Sequence, residues 1–206
     1  MKNNNQFPLD LSPLQKFSFE NYVVGSANRE MLRFLRLPMN WKTPITLIVG
    51  PIGTGKSHIG NAWANETGFL FLDDASQIDE EILFFQLNLI LNGTGSRLLM
   101  ADKNFPKKWL IKMPDLISRL KSITLVELTD HDDEVLEMIV RGIFEAKGRN
   151  VSQDLISYLL KHYERSVPAQ VRIAEMLEKA AQSQKADLSK SFAMKFLKTN
   201  YASIPS

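Results

Sequence analysis

The chain has no cysteine among its 206 residues, which excludes a disulfide framework and any metal site built on thiolates. Its three histidines, His58, His131 and His162, are too scattered for the spacing of zinc ligands. Positive and negative side chains almost cancel, to a formal net charge of +2, so composition gives no argument for tight nucleic-acid binding. No apolar run approaches the roughly 18 residues that span a bilayer.

The first 15 residues are polar and carry Pro8 and Pro13, a pattern that predicts a flexible arm. Residues 1–6 contain one lysine and no apolar stretch of the kind found in secretory signals. We therefore expect a protein of the cytoplasm that makes no membrane contact. Hydrophobic residues make up 44% of the chain, which is typical of a globular protein.

Short apolar runs alternate with helical patterns from residue 17 onward. The runs are too continuous for amphipathic strands and fit strands covered on both faces: 44–49, 69–72, 97–100 and 123–128. Helical patterns accompany them at 28–35, 57–65, 80–92 and 113–121. This alternation predicts an α/β domain over 16–130, with a parallel sheet between two layers of helices.

The strand signal stops after about residue 130, and four helical patterns follow. Asp132 or Asp133 can cap the first, which ends near Gly148, a residue suited to a left-handed helix end. Ser152 can cap the second, to about residue 165, while Pro168 begins the third and the fourth covers 187–198. A small all-helical domain is predicted over 131–206.

A phosphate-binding pattern, G-x-x-x-x-G-K-[ST], joins the first predicted strand to the following helix. Its residues are Gly50, Pro51, Ile52, Gly53, Thr54, Gly55, Lys56 and Ser57. In such a loop the glycines let backbone N–H groups point at phosphates, and the helix start adds its positive dipole end. Lys56 can reach the β and γ phosphates, and the Ser57 hydroxyl can bind Mg²⁺. The pattern predicts ADP or ATP as ligand; a chance glycine turn beside a surface lysine is the alternative.

Two acids follow the second predicted strand. P-loop enzymes need a carboxylate at a neighbouring strand end to hold the water shell of Mg²⁺. Asp73 is the candidate for this metal-side role, and Asp74 is the candidate that polarises an attacking water. Acids at a strand end also start turns, which is the alternative for both.

Residues 19–30, FENYVVGSANRE, resemble the adenine-side box of the AAA+ ATPases of the DnaA group, F-x-N-F-V-V-G-x-x-N-R. The resemblance implies a P-loop AAA+ fold with a helical lid, and it implicates Val23, Val24 and Asn28 in enclosing adenine. An apolar turn that packs the first helix would also suit this segment.

Two further boxes support the same resemblance. Residues 98–109, LLMADKNFPKKW, are similar to the family's fourth strand and its x-x-P-x-x-W turn, which places Asp102 at the sensor-one position near the γ-phosphate. Residues 114–120, PDLISRL, resemble the D-L-x-S-R-L box, whose arginine reaches into a neighbouring subunit's nucleotide; here it is Arg119. A turn-forming role for Asp102 and a solvated helix charge for Arg119 are the alternatives.

Arg172 falls where the DnaA group places its sensor-two arginine, on a lid helix that touches the bound phosphates. The alternative is a surface salt bridge to Glu175 or Glu178.

The arm carries the segment QFPLDL, residues 6–11, which is similar to the hexapeptides that bind the bacterial sliding clamp, Q-x-x-L-x-[LF]. Gln6 would supply hydrogen bonds, and Leu9 and Leu11 would fill an apolar pocket. A chance match in a polar arm is the alternative. We also expect no helix-turn-helix domain after the lid, because the chain stops at Ser206.

Together these features resemble Hda-type regulators, which are DnaA-related AAA+ proteins that lack the DNA-binding domain. The resemblance implies a protein that acts on DnaA at the DNA-loaded clamp, presents Arg119 to DnaA-bound ATP and so turns initiation of replication down. Contact with DNA would then be indirect, and self-association is possible. Two other functions fit the same sequence: an initiator-like or helicase-loader ATPase that assembles on DNA, and a nucleotide-gated clamp adaptor without catalytic action.

One departure from the family concerns length. Asp73 comes only 17 positions after Lys56 (73 − 56), which leaves no room for the family's additional strand and helix between them. We expect a sheet of four strands and weak ATP hydrolysis by the chain itself.

Overall fold

The computed structural model describes residues 17–20, 22–25, 28–93, 95–129 and 133–201. The predicted arm with Gln6, Leu9 and Leu11 lies outside these residues, as does Asp132, one of the two candidate caps of the first helix after the sheet.

 The residues outside the described ranges are 1–16, 21, 26, 27, 94, 130–132 and 202–206.

The described chain divides into two compact units. The first contains 17–22, 30–49 and 55–127, and the second contains 23–29, 50–54 and 128 onward, within the described ranges. The division passes through the phosphate loop, so that 50–54 and 55–57 belong to different units. The domain limits predicted from the sequence stay a prediction.

A four-stranded parallel sheet forms the centre of the first unit. Its strands are β1 (Ile45–Val49), β2 (Leu70–Leu72), β3 (Leu98–Asp102) and β4 (Thr124–Glu127). They lie in the order β2-β3-β1-β4, and Val49 at the end of β1 is opposite Asp102 at the end of β3. The described part of the chain therefore has the predicted α/β architecture with a parallel sheet of four strands.

The helices of the first unit follow the predicted pattern with small changes at their ends. They are α1 (Arg29–Leu35, whose first residue belongs to the second unit), α2 (Lys56–Thr67), α3 (Glu80–Leu91) and α4 (Pro114–Leu120). The two central strands, β1 and β3, are buried along their whole length, because helices cover a parallel sheet on both faces. Leu83, Leu87 and Leu116 are core residues from α3 and α4.

Four helices make up most of the second unit: α5 (Asp133–Glu145), α6 (Gln153–His162), α7 (Val167–Gln184) and α8 (Lys190–Asn200). The Ser152 hydroxyl caps α6 by accepting from the Leu155 amide, and Gly148 after α5 has φ +72°. Both features were predicted from the sequence. Phe144, Leu159 and Leu177 are fully buried where α5, α6 and α7 pack together.

Within the described ranges, none of these helices combines the length and the apolar character that crossing a membrane requires.

Candidate nucleotide site

The phosphate loop has the curled backbone that its glycines were expected to allow. Gly53 and Gly55 both have φ +87°, a left-handed conformation that costs a residue with a Cβ about 1–2 kcal/mol. The buried Thr54 hydroxyl donates to the Pro51 carbonyl oxygen at 2.9 Å and so closes the curl from inside. The loop is held in shape by its own bonds.

In the second unit, the first half of the loop lies close to other backbone. A Cβ added to Gly50 would come within 2.3 Å of the Leu128 carbonyl oxygen, and one added to Gly53 within 2.5 Å of Pro168 Cδ. Pro168 lies in the first turn of α7. Glycine is therefore required at both positions by space, and at Gly53 also by φ.

In the first unit, the second half of the loop opens α2. The helix begins at Lys56, with Gly55 as its left-handed N-cap, one residue earlier than predicted. Ser57 follows in the first helical turn and is exposed. The N–H groups at a helix start have no intrahelical acceptor, and together with the dipole they favour an anion at this end.

Lys56 is a buried cation, only 8% exposed. Burial lowers the pKa of its ammonium group below the ordinary value, while the carboxylates of Asp73, Asp74 and Asp102 act in the opposite direction. Removing an ammonium group from water is unfavourable unless opposite charge compensates it. This environment suits a lysine whose positive charge is neutralised by the phosphate groups of a bound ligand.

Asp73 and Asp74 follow β2 directly, as the sequence predicted. Asp73 is half-buried and its Oδ1 accepts from the Asp74 amide at 3.1 Å, whereas Asp74 is exposed. Asp74 has φ 44° and ψ 50°, a left-handed conformation that is uncommon outside glycine and is found among functional residues. The catalytic role of Asp74 and the metal role of Asp73 stay predictions.

Asp102 is buried to 1% exposure at the end of β3. Its Oδ2 accepts from the Ser76 amide and its Oδ1 from the Asn104 amide, both at 2.8 Å. Ser76 lies in the short 3-10 turn Ala75–Gln77, which comes directly after the two acids. Asp102 therefore holds the turn that follows Asp74, in addition to its predicted sensor-one role, which stays a prediction.

Asn28 organises the predicted adenine box in the second unit. Its Nδ2 donates to the Val23 carbonyl oxygen at 3.0 Å, and its Oδ1 accepts from the Gly25 amide at 2.9 Å. Val24, between these two residues, remains 43% exposed. Asn28 thus positions the segment, while the apolar side chain of Val24 is left available for contact.

The two predicted arginines are both exposed. Arg119 lies in the last turn of α4, and within the described ranges its guanidinium has no salt-bridge partner. Arg172 lies on α7, one turn after Pro168, which approaches Gly53. Neither Glu175 nor Glu178 forms a salt bridge with it, and Glu178 pairs instead with Arg149 at 3.1 Å. Their predicted functional roles are untested.

Sequence reasoning did not assign Tyr22 or Pro168 to the nucleotide site. A Cβ on Gly55 would come within 2.9 Å of the Tyr22 ring, so Tyr22 lines the loop in the first unit as Pro168 does in the second. The only signal for Tyr22 was its place inside the adenine box. Among the described residues, no group of three histidine or acidic side chains is arranged to hold a metal ion.

A P-loop between a parallel strand and a helix, with acids at a neighbouring strand end and a helical second unit, defines the class: the chain has an AAA+ P-loop fold of the DnaA type. No protein-family model and no curated protein matches the chain by sequence. The comparison with solved structures therefore gives the fold.

Among solved structures, domain III of the replication initiation protein DnaA from Thermotoga maritima is similar, with a TM-score of 0.74 and 15% identity over 89% of this chain and 96% of that one. AMPPCP-bound DnaA from Aquifex aeolicus has a TM-score of 0.62 and 20% identity over 85% and 71%. The Thermotoga maritima RuvB branch-migration motor has a TM-score of 0.70 and 14% identity over 91% and 73%.

Proposed function

We propose that this chain is an Hda-type regulator: it binds ADP or ATP and, at the DNA-loaded sliding clamp, promotes hydrolysis of the ATP bound to DnaA. The observation that carries the proposal is Arg119, an exposed arginine in the last turn of α4 without a salt-bridge partner among the described residues. The arm segment with Gln6, Leu9 and Leu11 would supply the clamp contact.

The phosphate loop fits a nucleotide. A side chain at Gly50, Gly53 or Gly55 would clash with neighbouring residues. With glycine at these positions, the backbone N–H groups of the loop can approach phosphates. Lys56 supplies a buried positive charge, and Ser57 with Asp73 supplies the oxygen ligands that Mg²⁺ prefers. AMPPCP bound to the similar Aquifex aeolicus DnaA supports an adenine nucleotide as the ligand.

Val23 and Val24 would contact the adenine, with Asn28 positioning them through its two backbone hydrogen bonds. Asp102 and Arg172 would report the state of the phosphates, and Asp102 also holds the turn after Asp74. Mg²⁺ and the triphosphate supply the electrophilic chemistry when bound. The chain's residues bind, orient and neutralise charge.

Arg119 would act in trans. Phosphoryl transfer goes through a loose transition state with charge spread over the transferred oxygens, and an arginine supplied from another protein accelerates it by roughly 10³–10⁵ in GTPases. An arginine that serves another protein's site must be exposed on its own chain and uncommitted to a local carboxylate. Both conditions hold for Arg119 in the described part of the structure.

The test measures hydrolysis of DnaA-bound ATP on clamp-loaded DNA, with and without this chain. Wild type is expected to accelerate hydrolysis, Arg119→Ala to abolish most of the acceleration, and Arg33→Ala to leave it unchanged. Arg33 is a matched control because it is exposed in the last turn of α1. Gln6→Ala combined with Leu9→Ala is expected to remove the effect by removing clamp contact.

Two other functions make different predictions in the same assay. An initiator-like or helicase-loader ATPase would turn over ATP by itself and lose that turnover in Asp74→Asn. A clamp adaptor without catalytic action would leave DnaA-bound ATP unaffected whether or not Arg119 is replaced. Acceleration by wild type that Arg119→Ala retains in full would contradict the regulator proposal.

A further inference from the structure

Helices α6 and α8 of the second unit enclose a groove of about 480 Å³ that the nucleotide proposal does not use. Three lysines line it: Lys161 in the last turn of α6, and Lys190 and Lys198 on α8. Tyr158 and Met194 also line it. All three lysines are exposed, so the groove has charged edges.

The lysines of α8 form a line. Lys190, Met194 and Lys198 are spaced by four residues, which puts them on one face of the helix, and eight residues of helix extend about 12 Å. Lys161 and His162 line the groove from α6. The positive charge is therefore spread along the groove instead of being gathered at one point.

This charge is compensated only in part. Asp154 is the one acid that lines the groove, α8 contains no acid between Lys190 and Asn200, and none of the three lysines has a salt-bridge partner in the described part of the chain. Lys190 is also the first residue of α8. A cation at this positive dipole end is unfavourable, so helix stability does not explain Lys190.

We propose that this groove binds the phosphate backbone of DNA. Lysine contacts phosphate as a point charge on a flexible stem, and three lysines line the groove. Duplex DNA offers one negative charge per ~1.7 Å of axis, which suits cations placed along a line. The contact is independent of base sequence and adds direct DNA binding to a chain whose net charge is close to zero.

The test measures binding of a fluorescent 20-base-pair duplex by anisotropy as salt is raised. Lys190→Gln with Lys198→Gln is expected to weaken binding on the order of tenfold and to reduce the slope of log K against log salt by about 2, because each phosphate contact contributes about 0.9. Lys147→Gln with Lys179→Gln removes the same charge from exposed lysines of the same unit and is expected to change the slope much less.

Lys161→Gln tests the α6 side separately, with an expected slope change of about 1. Equal losses in the groove pair and the control pair, or no duplex binding by wild type at 50 mM salt, would overturn the proposal. So would a groove pair that loses affinity for polyglutamate and keeps its affinity for DNA, which would indicate an acidic protein partner. ADP titration of the groove pair should match wild type, which separates this test from the nucleotide proposal.

Discussion

At the scale of single residues, the site depends on polar groups that are buried together with their partners. Lys56 is held near three carboxylates, and Asp102 accepts two backbone N–H bonds at 2.8 Å. Hydrogen bonds from backbone amides to a carboxylate are stronger than those between neutral groups. Asp102 therefore fixes the 3-10 turn beside Asp74.

The lowered pKa of Lys56 predicts how nucleotide affinity depends on pH. Between this pKa and the ordinary value of 10.5, the folded chain binds fewer protons than the unfolded chain, so stability rises with pH in that window. Phosphate raises the pKa again, because it favours the charged amine. ADP affinity should therefore fall as pH rises through the lowered pKa, with proton uptake on binding.

Calorimetry in two buffers of different ionisation enthalpy measures this uptake. Lys56→Arg serves as the comparison, since arginine stays protonated at these pH values, and its affinity should lose the pH dependence. An affinity that falls with pH identically in both proteins would show that another group is responsible.

At the scale of elements, much of the architecture was predictable. The short segment between Lys56 and Asp73 indicated the reduced sheet. Continuous apolar runs indicated strands buried on both faces, which is confirmed for β1 and β3 and wrong for the edge strands β2 and β4, whose residues are half-buried or exposed. The order β2-β3-β1-β4 also puts Asp102 opposite the end of β1. The ends of the strands differ from the predicted ones by one or two residues, because local hydrogen bonds decide where a strand begins and ends.

The contacts that shape the site were not predictable. Asp102 bonds to Ser76 and Gly53 packs against Pro168, and both pairs are distant in sequence. Asn28 was singled out by its motif, but its bonds to Val23 and Gly25 depend on how that segment turns. The lysine groove likewise arises only when α6 and α8 pack, since Lys161 and Lys190 are 29 residues apart (190 − 161).

The contact between the loop and α7 predicts a stability difference between two glycines. Gly53→Ala should lower the free energy of unfolding by the cost of φ +87°, about 1–2 kcal/mol, and by a further 1–3 kcal/mol or so for overpacking against Pro168. Gly148→Ala is the matched control, because φ is +72° and a Cβ there meets nothing within 4 Å.

Urea unfolding of the two variants makes the comparison directly. Equal losses would mean that the packing of Gly53 against Pro168 contributes nothing and that the backbone conformation alone requires glycine.

At the scale of the whole molecule, the chain combines a near-neutral net charge with two sites, among the described residues, that suit phosphate groups. One is Lys56 with the helix start of α2, which suits phosphates of a bound nucleotide, and the other is the lysine groove of the second unit. The exposed Arg119 adds a charge directed at a partner's nucleotide in the proposed function. The proposed regulator function depends on the first of these features, because it assumes a bound nucleotide, whereas DNA binding by the lysine groove is tested separately.

The most direct measurement is a calorimetric titration of ADP and ATP, with magnesium, into the purified chain. Saturable binding is expected, weakened about 10–100-fold in Lys56→Met, because a charge-assisted hydrogen bond contributes about 1.5–3 kcal/mol. Lys42→Met, at an exposed lysine of the same unit, should bind as wild type does. A folded wild-type chain that shows no saturable binding at millimolar nucleotide would contradict the account.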